Sequence, residues 1–387
     1  MKNALAQRRI LFVLPTLDLG GAERQAVLLA RWLRRQADAD VAVAALFGGT
    51  RGQVIRLACA EARLPCLRFN MPDMRATMPT HAALRQFARE LRFLHPAIVM
   101  PYLSTCNVMC GLAWRAARAG ACVWNQRDAG IDLPDAGPQR SAAAQASLLV
   151  ANSSAGAACL TERLGVPPER IMVVPNAVEK ALPRMSRAAW RKRLGAAPDQ
   201  QLACMVANIT RHKDHATLLR AWSRVCHGVD RPSRLLLAGA LVDNVEPLRA
   251  LAEELHVSEH VTLLGPVDDI AGLLHACDLA IHSSRAEGLP NAVLEAMAAG
   301  LAVVATDLPG TRLALGERQW PYLSLPGDDA HLASSIVTLL GDDRLRADLG
   351  ALNRARVTAE FGMDRLGSRM AAALSALLDQ PRRSSTT

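Results

Sequence analysis

Aromatic side chains are scarce, making up 4% of 387 residues as 6 Trp, 6 Phe and 2 Tyr. Trp32, Trp114, Trp124, Trp190, Trp222 and Trp320 stand singly, which argues against platforms for stacking bases. Two phosphate cradles are also missing, the G-x-x-x-x-G-K-[ST] loop and a strand-linked G-x-G-x-x-G, so nucleoside triphosphate hydrolysis and dinucleotide redox chemistry lack their usual grip. No C-x-x-C pair occurs. The 9 cysteines are scattered and mostly in apolar surroundings, which speaks against a disulfide framework or a zinc site and for a reducing cytosol. Lysine is rare, at 4 residues against 41 arginines, and with abundant alanine this fits a GC-rich bacterial genome.

Long apolar runs are absent as well. The longest weakly charged stretch, Pro96 to Trp114, is interrupted by Pro101, Ser104, Thr105 and Asn107 and reads as strand, loop and helix, not a membrane span. The start of the chain passes through Arg8-Arg9 into a strand-like Ile10 to Leu14 without a secretory core and cleavage site, and the expectation is no export.

What is present is length, apolar content and an uneven charge. A chain of 387 residues, half of them apolar, exceeds what one core serves, so two domains are expected. Met1 to Val178 carries 21 basic and 12 acidic residues, a difference of +9, whereas Glu179 to Thr387 carries 24 of each, a difference of zero. A basic half steers toward nucleic acid, an anionic membrane or a phosphorylated substrate, and charge alone does not choose among them.

Short apolar runs alternate with helical stretches: Ile10 to Leu14, Val41 to Leu46, Ala97 to Met100, Ala121 to Trp124, Ser147 to Ala151 and Ile171 to Val174. A second series runs through Leu202 to Val206, Arg234 to Ala238, Val261 to Leu264, Leu279 to His282 and Leu301 to Ala305. Such alternation predicts parallel sheets covered by helices on both faces. The expected layout is an N-terminal domain 1–178, a linker 179–198, a C-terminal domain 199–362, a helix 363–379 packing back on the N-terminal domain, and a disordered tail 380–387. Ligands of doubly wound sheets bind beyond the carboxyl ends of the strands, so the motifs should lie there.

Glu287 and Glu295 have seven residues between them in Glu287-Gly288-Leu289-Pro290-Asn291-Ala292-Val293-Leu294-Glu295. Gly288 to Pro290 form a loop, Asn291 can cap a short buried helix, and Gly300 can end it in a left-handed position. A helix start attracts phosphate, and the two carboxylates can bracket a ligand carrying hydroxyls on either side of its phosphates. A lone pair of glutamates is usually solvated; Glu295 among Ala292, Val293, Leu294, Ala296 and Met297 needs a partner, which favours function.

Other motifs are weaker. Gly20-Gly21-Ala22-Glu23-Arg24 follows a strand and opens a helix, which lets backbone approach a phosphate, although paired glycines also serve ordinary turns. Arg211 and Lys213 follow the strand Leu202 to Val206 and can reach a diphosphate, against the alternative of two solvated cations. His212 and His215 lack further metal ligands and read as incidental. Asp38-Ala39-Asp40 reads as a turn into a strand, not an ion site.

Together, Gly20-Gly21-Ala22-Glu23-Arg24, Pro175-Asn176-Ala177-Val178, Lys213-Asp214-His215 and the run from Glu287 to Glu295 resemble the GT4 family of retaining glycosyltransferases over nearly the whole chain. The resemblance implies a GT-B fold of two Rossmann-like domains facing across a cleft, an α/β class, metal-independent chemistry without a cofactor, and a nucleotide sugar, expected to be a UDP-sugar, as donor substrate. It places Glu287 on hexose hydroxyls, Glu295 on ribose hydroxyls, Lys213 on the diphosphate, the backbone at Gly288 and Leu289 on the distal phosphate, and the backbone at Val267 on the base. Gly20 and Gly21 join the donor set. Where the family has Gly-Arg, this chain has Ala207-Asn208, so Arg211 is expected to take over the phosphate role beside Asn208. Arg127, with Asn176, is assigned to the acceptor side.

The implied reaction moves a hexosyl or N-acetylhexosaminyl group to a hydroxyl of a glycan or lipid-linked acceptor in surface polysaccharide or lipopolysaccharide assembly. The basic first half suggests peripheral contact with the inner face of an anionic membrane from the cytoplasm, and nucleic acid is not expected as a partner. The competing readings are a catalytically silent sugar-nucleotide-binding protein and a basic nucleic-acid-binding protein, the latter motivated by a pI near 9.4.

Overall fold

The computed structural model describes residues 4–18, 20–48, 54–72, 79–130, 137–179, 181–243 and 245–379. The tail 380–387, expected to be disordered, lies outside the described residues. The chain divides into two compact units, one formed by Met1–Ala177 with Met363–Thr387 and the other by Val178–Gly362.

In the first unit the strands are β1 (Arg9–Leu14), β2 (Asp40–Ala45), β3 (Cys66–Arg68), β4 (Ile98–Pro101), β5 (Ala121–Gln126), β6 (Leu148–Ala151) and β7 (Ile171–Val173). They form a sheet of order β3-β2-β1-β4-β5-β6-β7 whose neighbouring strands pair in parallel. Side chains alternate across a strand, so Ile10, Phe12 and Leu14 enter one core cluster while Leu11 and Val13 enter another on the opposite face. This two-sided burial is why the strands read as continuous apolar runs. The edge strand β3, three residues long, is too short to announce itself in the sequence.

The helix Met363–Asp379 belongs to this unit. Met363, Leu366, Met370 and Leu374 join the cluster that holds Leu29 and Leu33 of the helix Gly21–Gln36. Trp32 Nε1 donates to Asp364 at 2.8 Å across the same contact. The expected turn at Asp38-Ala39-Asp40 is present, with Asp38 at φ 48° and Asp40 opening β2 in an ion pair with Arg9 at 2.7 Å.

In the second unit the strands are β8 (Gln201–Val206), β9 (Ser233–Ala238), β10 (Val261–Gly265), β11 (Leu279–His282), β12 (Val303–Thr306) and β13 (Leu323–Ser324). Their order is β10-β9-β8-β11-β12-β13, again with parallel pairings. Leu202 and Cys204 face one core cluster, Ala203 and Met205 the other.

The stretch read as a linker, 179–198, holds a helix, Arg187–Arg193, whose Trp190 is only 4% exposed. Asp269 explains the anchoring: it accepts from Trp190 Nε1 at 2.8 Å and from the backbone N–H groups of Arg184, Met185 and Gly272 at 3.0 Å each. Burial opposes its charge, but these four donors hold its carboxyl below the ordinary value.

Candidate functional site

Strand order reverses in the second unit between β8 and β11, which lie side by side and lead outward to neighbours on opposite sides. Loops leaving two such strands diverge to opposite faces and open a crevice at their carboxyl ends. Arg211 and Lys213 lie on the loop after β8, and Glu287 lies on the loop after β11. Sheet topology therefore brings these sequence-distant groups to one place.

There, Lys213 Nζ donates to Glu287 Oε1, with the two side chains 21% and 13% exposed. The same carboxylate oxygen lies 3.1 Å from His282 Nε2. Burial alone would push the Glu287 carboxyl upward; the His282 hydrogen bond and the Lys213 charge win and hold it down at about 2. An ionised carboxylate and a cation are thus fixed in a largely water-excluded spot.

The β8 loop is shaped by its neighbour. Asp214 sits at φ 45°, a left-handed conformation that Asp tolerates, which turns the chain sharply between Lys213 and the helix His215–Gly228. Ser283 Oγ reaches the carbonyls of Lys213 and Asp214 at 3.2 Å, Ser284 Oγ donates to the His212 carbonyl at 3.0 Å, and Arg285 N donates to that carbonyl at 2.8 Å. Arg285 also pairs with the buried Asp214 carboxylate at 3.4 Å. Lys213 is therefore clamped by the loop that carries Glu287.

The helix after Glu287 spans Asn291–Ala299. Pro290 occupies the N-cap in extended conformation and Asn291 is the first helical residue, so the expected Asn291 cap is corrected: the N-cap position is a proline, which offers no side-chain hydrogen bond. Gly300 ends it at φ 79°, left-handed as expected. Val293, Leu294, Ala296 and Met297 are buried, and Glu295 is partly buried in the second turn. Gly288 and Leu289 are buried in the preceding loop, where a Cβ at Gly310 would fall on the Gly288 carbonyl oxygen. Only glycine lets the segment behind the motif approach it this closely.

Other expected donor-side residues are placed less centrally. Arg211 is exposed, fixed through its backbone N–H to Asp243 at 2.8 Å. Asn208 is also exposed, and its side-chain oxygen accepts from the Ala240 N–H at 3.0 Å, joining the loops after β8 and β9. Val267 is partly buried, packing on the unit's core in the loop after β10.

Gly20, Gly21, Arg127 and Asn176 belong to the first unit. Its strand order reverses between β1 and β4, and Gly20 and Gly21 stand after β1 at the start of Gly21–Gln36. A Cβ at Gly20 would meet the carboxylate of Glu23, a buried group whose carboxyl is raised by desolvation. Gly20 thus makes room for an acid at this helix start. Arg127 donates to Asn176 Oδ1 and lies over the Tyr102 ring at 5.4 Å, while its Nε is buried without a hydrogen-bond partner.

Two functional neighbours escaped the sequence reading. His282 appeared only as the end of a strand, although a polar residue closing an apolar run at the reversal point is a usable signal. His215, read as incidental, is 4% exposed with both ring nitrogens unpartnered, and burial, His282 and Lys213 together lower its pKa to about 4. Among the described residues no group of three or more His, Cys, Asp and Glu is arranged to hold a metal.

Comparison with known proteins gives consistent relatives. The chain matches the family description "Glycosyltransferase Family 4" over residues 19–182 and "Glycosyl transferases group 1" over residues 186–356. It is 32% identical over 212 residues to D-inositol 3-phosphate glycosyltransferase of Nocardia farcinica, covering 52% of this chain and 47% of that protein. It is 28% identical over 203 residues to N-acetylgalactosamine-N,N'-diacetylbacillosaminyl-diphospho-undecaprenol 4-alpha-N-acetylgalactosaminyltransferase of Campylobacter jejuni, covering 52% and 53%. The chain spans about half the length of the curated relatives it matches. Among solved structures, Anabaena Alr3699/HepE in complex with UDP and glucose superposes with a TM-score of 0.83 at 22% identity, over 95% of this chain and 100% of that one. WaaG, a glycosyltransferase involved in lipopolysaccharide biosynthesis, gives a TM-score of 0.69 at 17% identity, over 94% and 99%. These likenesses establish the fold as GT-B, with two Rossmann-like α/β units.

Proposed function

We propose a sugar transfer for this chain, which belongs to the glycosyl transferases of group 1, family 4. The donor is a nucleoside diphosphate sugar, with UDP as the nucleotide, and the transferred group is a hexosyl or N-acetylhexosaminyl unit. The acceptor is a hydroxyl of a glycan or lipid-linked sugar in surface polysaccharide or lipopolysaccharide assembly. Two relatives support these choices: a neighbour of the same fold is described in complex with UDP and glucose, and one curated relative is named for a diphospho-undecaprenol substrate.

The observation that carries the reading is the meeting of Lys213 and Glu287 at the reversal point of the second unit's sheet. In the proposed scheme Lys213 turns to the donor diphosphate and Glu287 to the hexose hydroxyls, with Glu295 on the ribose, the Gly288 and Leu289 backbone on the distal phosphate, and Val267 beside the base. The acceptor hydroxyl attacks the anomeric carbon on the face that the diphosphate leaves, the carbon–oxygen bond to phosphate breaks, and a phosphate oxygen takes the acceptor proton. Configuration is retained. Lys213, with the exposed Arg211 as a second cation, stabilises the leaving charge by roughly 3 to 4 kcal/mol per well-placed donor, and the scheme routes no step through a metal or cofactor.

On the acceptor side, Arg127 and Asn176 offer a cation and an amide, and the excess basic charge of residues 1–178 supports docking on an anionic membrane from the cytoplasm. No helix among the described residues is long and apolar enough to cross a membrane. Co-sedimentation with vesicles should rise with anionic lipid and fall with salt; binding indifferent to both removes the docking proposal.

The donor reading is tested by thermal shift against a panel of nucleoside diphosphates and their sugars. A bound nucleotide raises Tm with its concentration over Kd, and UDP with a UDP-sugar should give the largest rise. A panel without any stabilising nucleotide sugar defeats the proposal.

A further inference from the structure

Glu287 Oε1 has two donors in the structure, Lys213 Nζ and His282 Nε2. If Lys213 engages a diphosphate, as the donor reading requires, one of the two is withdrawn. A carboxylate left buried with no donor takes up a proton or changes rotamer, because an unpaired charge in a dry site is costly. His282 removes that difficulty. It is the last residue of β11, only 3% exposed, and its backbone is fixed in parallel pairing with Ala305 of β12.

The surroundings also decide the His282 tautomer. Its Nδ1 is buried without a hydrogen-bond partner. A proton on Nδ1 would bury an N–H with no acceptor and turn the Nε2 lone pair against the Glu287 carboxylate. With the proton on Nε2, that N–H donates to Glu287 and only a lone pair is left unpaired. His215 lies within electrostatic reach of His282 and Lys213, and Glu287 is the group that the ring Nε2 faces. His215 is itself held neutral and leaves His282 no competing acceptor with a formal charge.

We propose that His282 is a positioning residue: donating from Nε2, it keeps the Glu287 carboxylate paired and aimed while Lys213 grips the donor diphosphate. The proposal rests on the donor reading above and adds a residue that acts through Glu287 without touching substrate. It separates two effects, because the grip on the diphosphate belongs to Lys213 and the grip on the sugar belongs to the His282–Glu287 pair.

The test compares wild type with His282→Leu, His282→Gln and Glu287→Gln, using UDP and the UDP-sugar that stabilises wild type most in the thermal screen. Release of UDP from that sugar is followed at saturating and limiting concentrations. For His282→Leu the expectation is a UDP Kd within about twofold of wild type and a kcat lower by roughly tenfold or more, as for a misaimed catalytic group. His282→Gln, whose amide can donate to the same oxygen, should recover most of the loss. Wild-type kcat in His282→Leu, or equal losses in the Leu and Gln variants, overturns the positioning role. Normal turnover in Glu287→Gln defeats the donor reading itself, whereas a crippled Glu287→Gln beside an intact His282→Leu defeats only this inference. Should His282→Leu fail to fold, two-bond proton–nitrogen spectra of labelled wild type decide the matter: a proton on Nε2 at pH 7 supports the role, and a bare Nε2 with the proton on Nδ1 alone overturns it.

Discussion

Lys213 and Glu287, separated by 74 positions in sequence, share a hydrogen-bonded ion pair at the carboxyl ends of β8 and β11. The pair places a cation beside an acid, the complement that the proposed sugar diphosphate requires.

Removing each member should produce different kinetic signatures. Glu287→Gln is expected to retain UDP binding within about threefold and to lose about a hundredfold or more in kcat, since the sugar is no longer oriented. Lys213→Ala should weaken UDP by at least about tenfold as well as slowing transfer, because a charged diphosphate partner is lost. Calorimetry with UDP and steady-state UDP release separate the two.

The depressed Glu287 carboxyl ties stability to pH. Its folded value, about 2, lies below the ordinary 4.5, so its contribution is complete above the unfolded value and is lost as pH falls from about 4.5 toward 2. Thermal melts of wild type should decline through that window, and Glu287→Gln should decline less steeply. Parallel curves would show that the pair adds nothing to folding.

Gly310 is expected to tolerate no side chain. A Cβ there meets the Gly288 carbonyl oxygen, and relief requires moving the backbone that the donor reading places on the distal phosphate. Gly310→Ala should cost about 1–3 kcal/mol in stability, the range for overpacking, and remove stabilisation by UDP-sugars. Denaturant titration with and without UDP reads both; unchanged ligand stabilisation would uncouple Gly310 from the motif.

Asp269 gathers four donors from three segments. Asp269→Ala leaves Trp190 Nε1 and three backbone N–H groups without this acceptor and should destabilise the second unit by about 1–3 kcal/mol. Chemical denaturation followed by tryptophan fluorescence checks it, and a variant with wild-type stability would show that water replaces the carboxylate at no cost.

The alternation of apolar runs was enough to read both parallel sheets, because strands buried on two faces cannot be polar and helices between them cannot lose their own period. The left-handed stop at Gly300 was legible for a similar local reason. Short elements carried no period, so β3 and β13 were not visible, and the helix Arg187–Arg193 looked like linker because its anchor, Asp269, lies far along the chain.

Residue chemistry by itself marked Glu295 as unusual, since charge in apolar surroundings must be compensated, and Glu287 and Lys213 by their places before a helix start and after a strand. Only the tertiary structure decided the compensation for Glu287. Strand order set β8 beside β11, and this adjacency, which local propensity does not encode, delivered Lys213 to the carboxylate oxygen that His282, at the end of β11, also reaches. His282 passed unnoticed because the loop conformation that folds Glu287 back onto the end of its own strand is not written in local propensity.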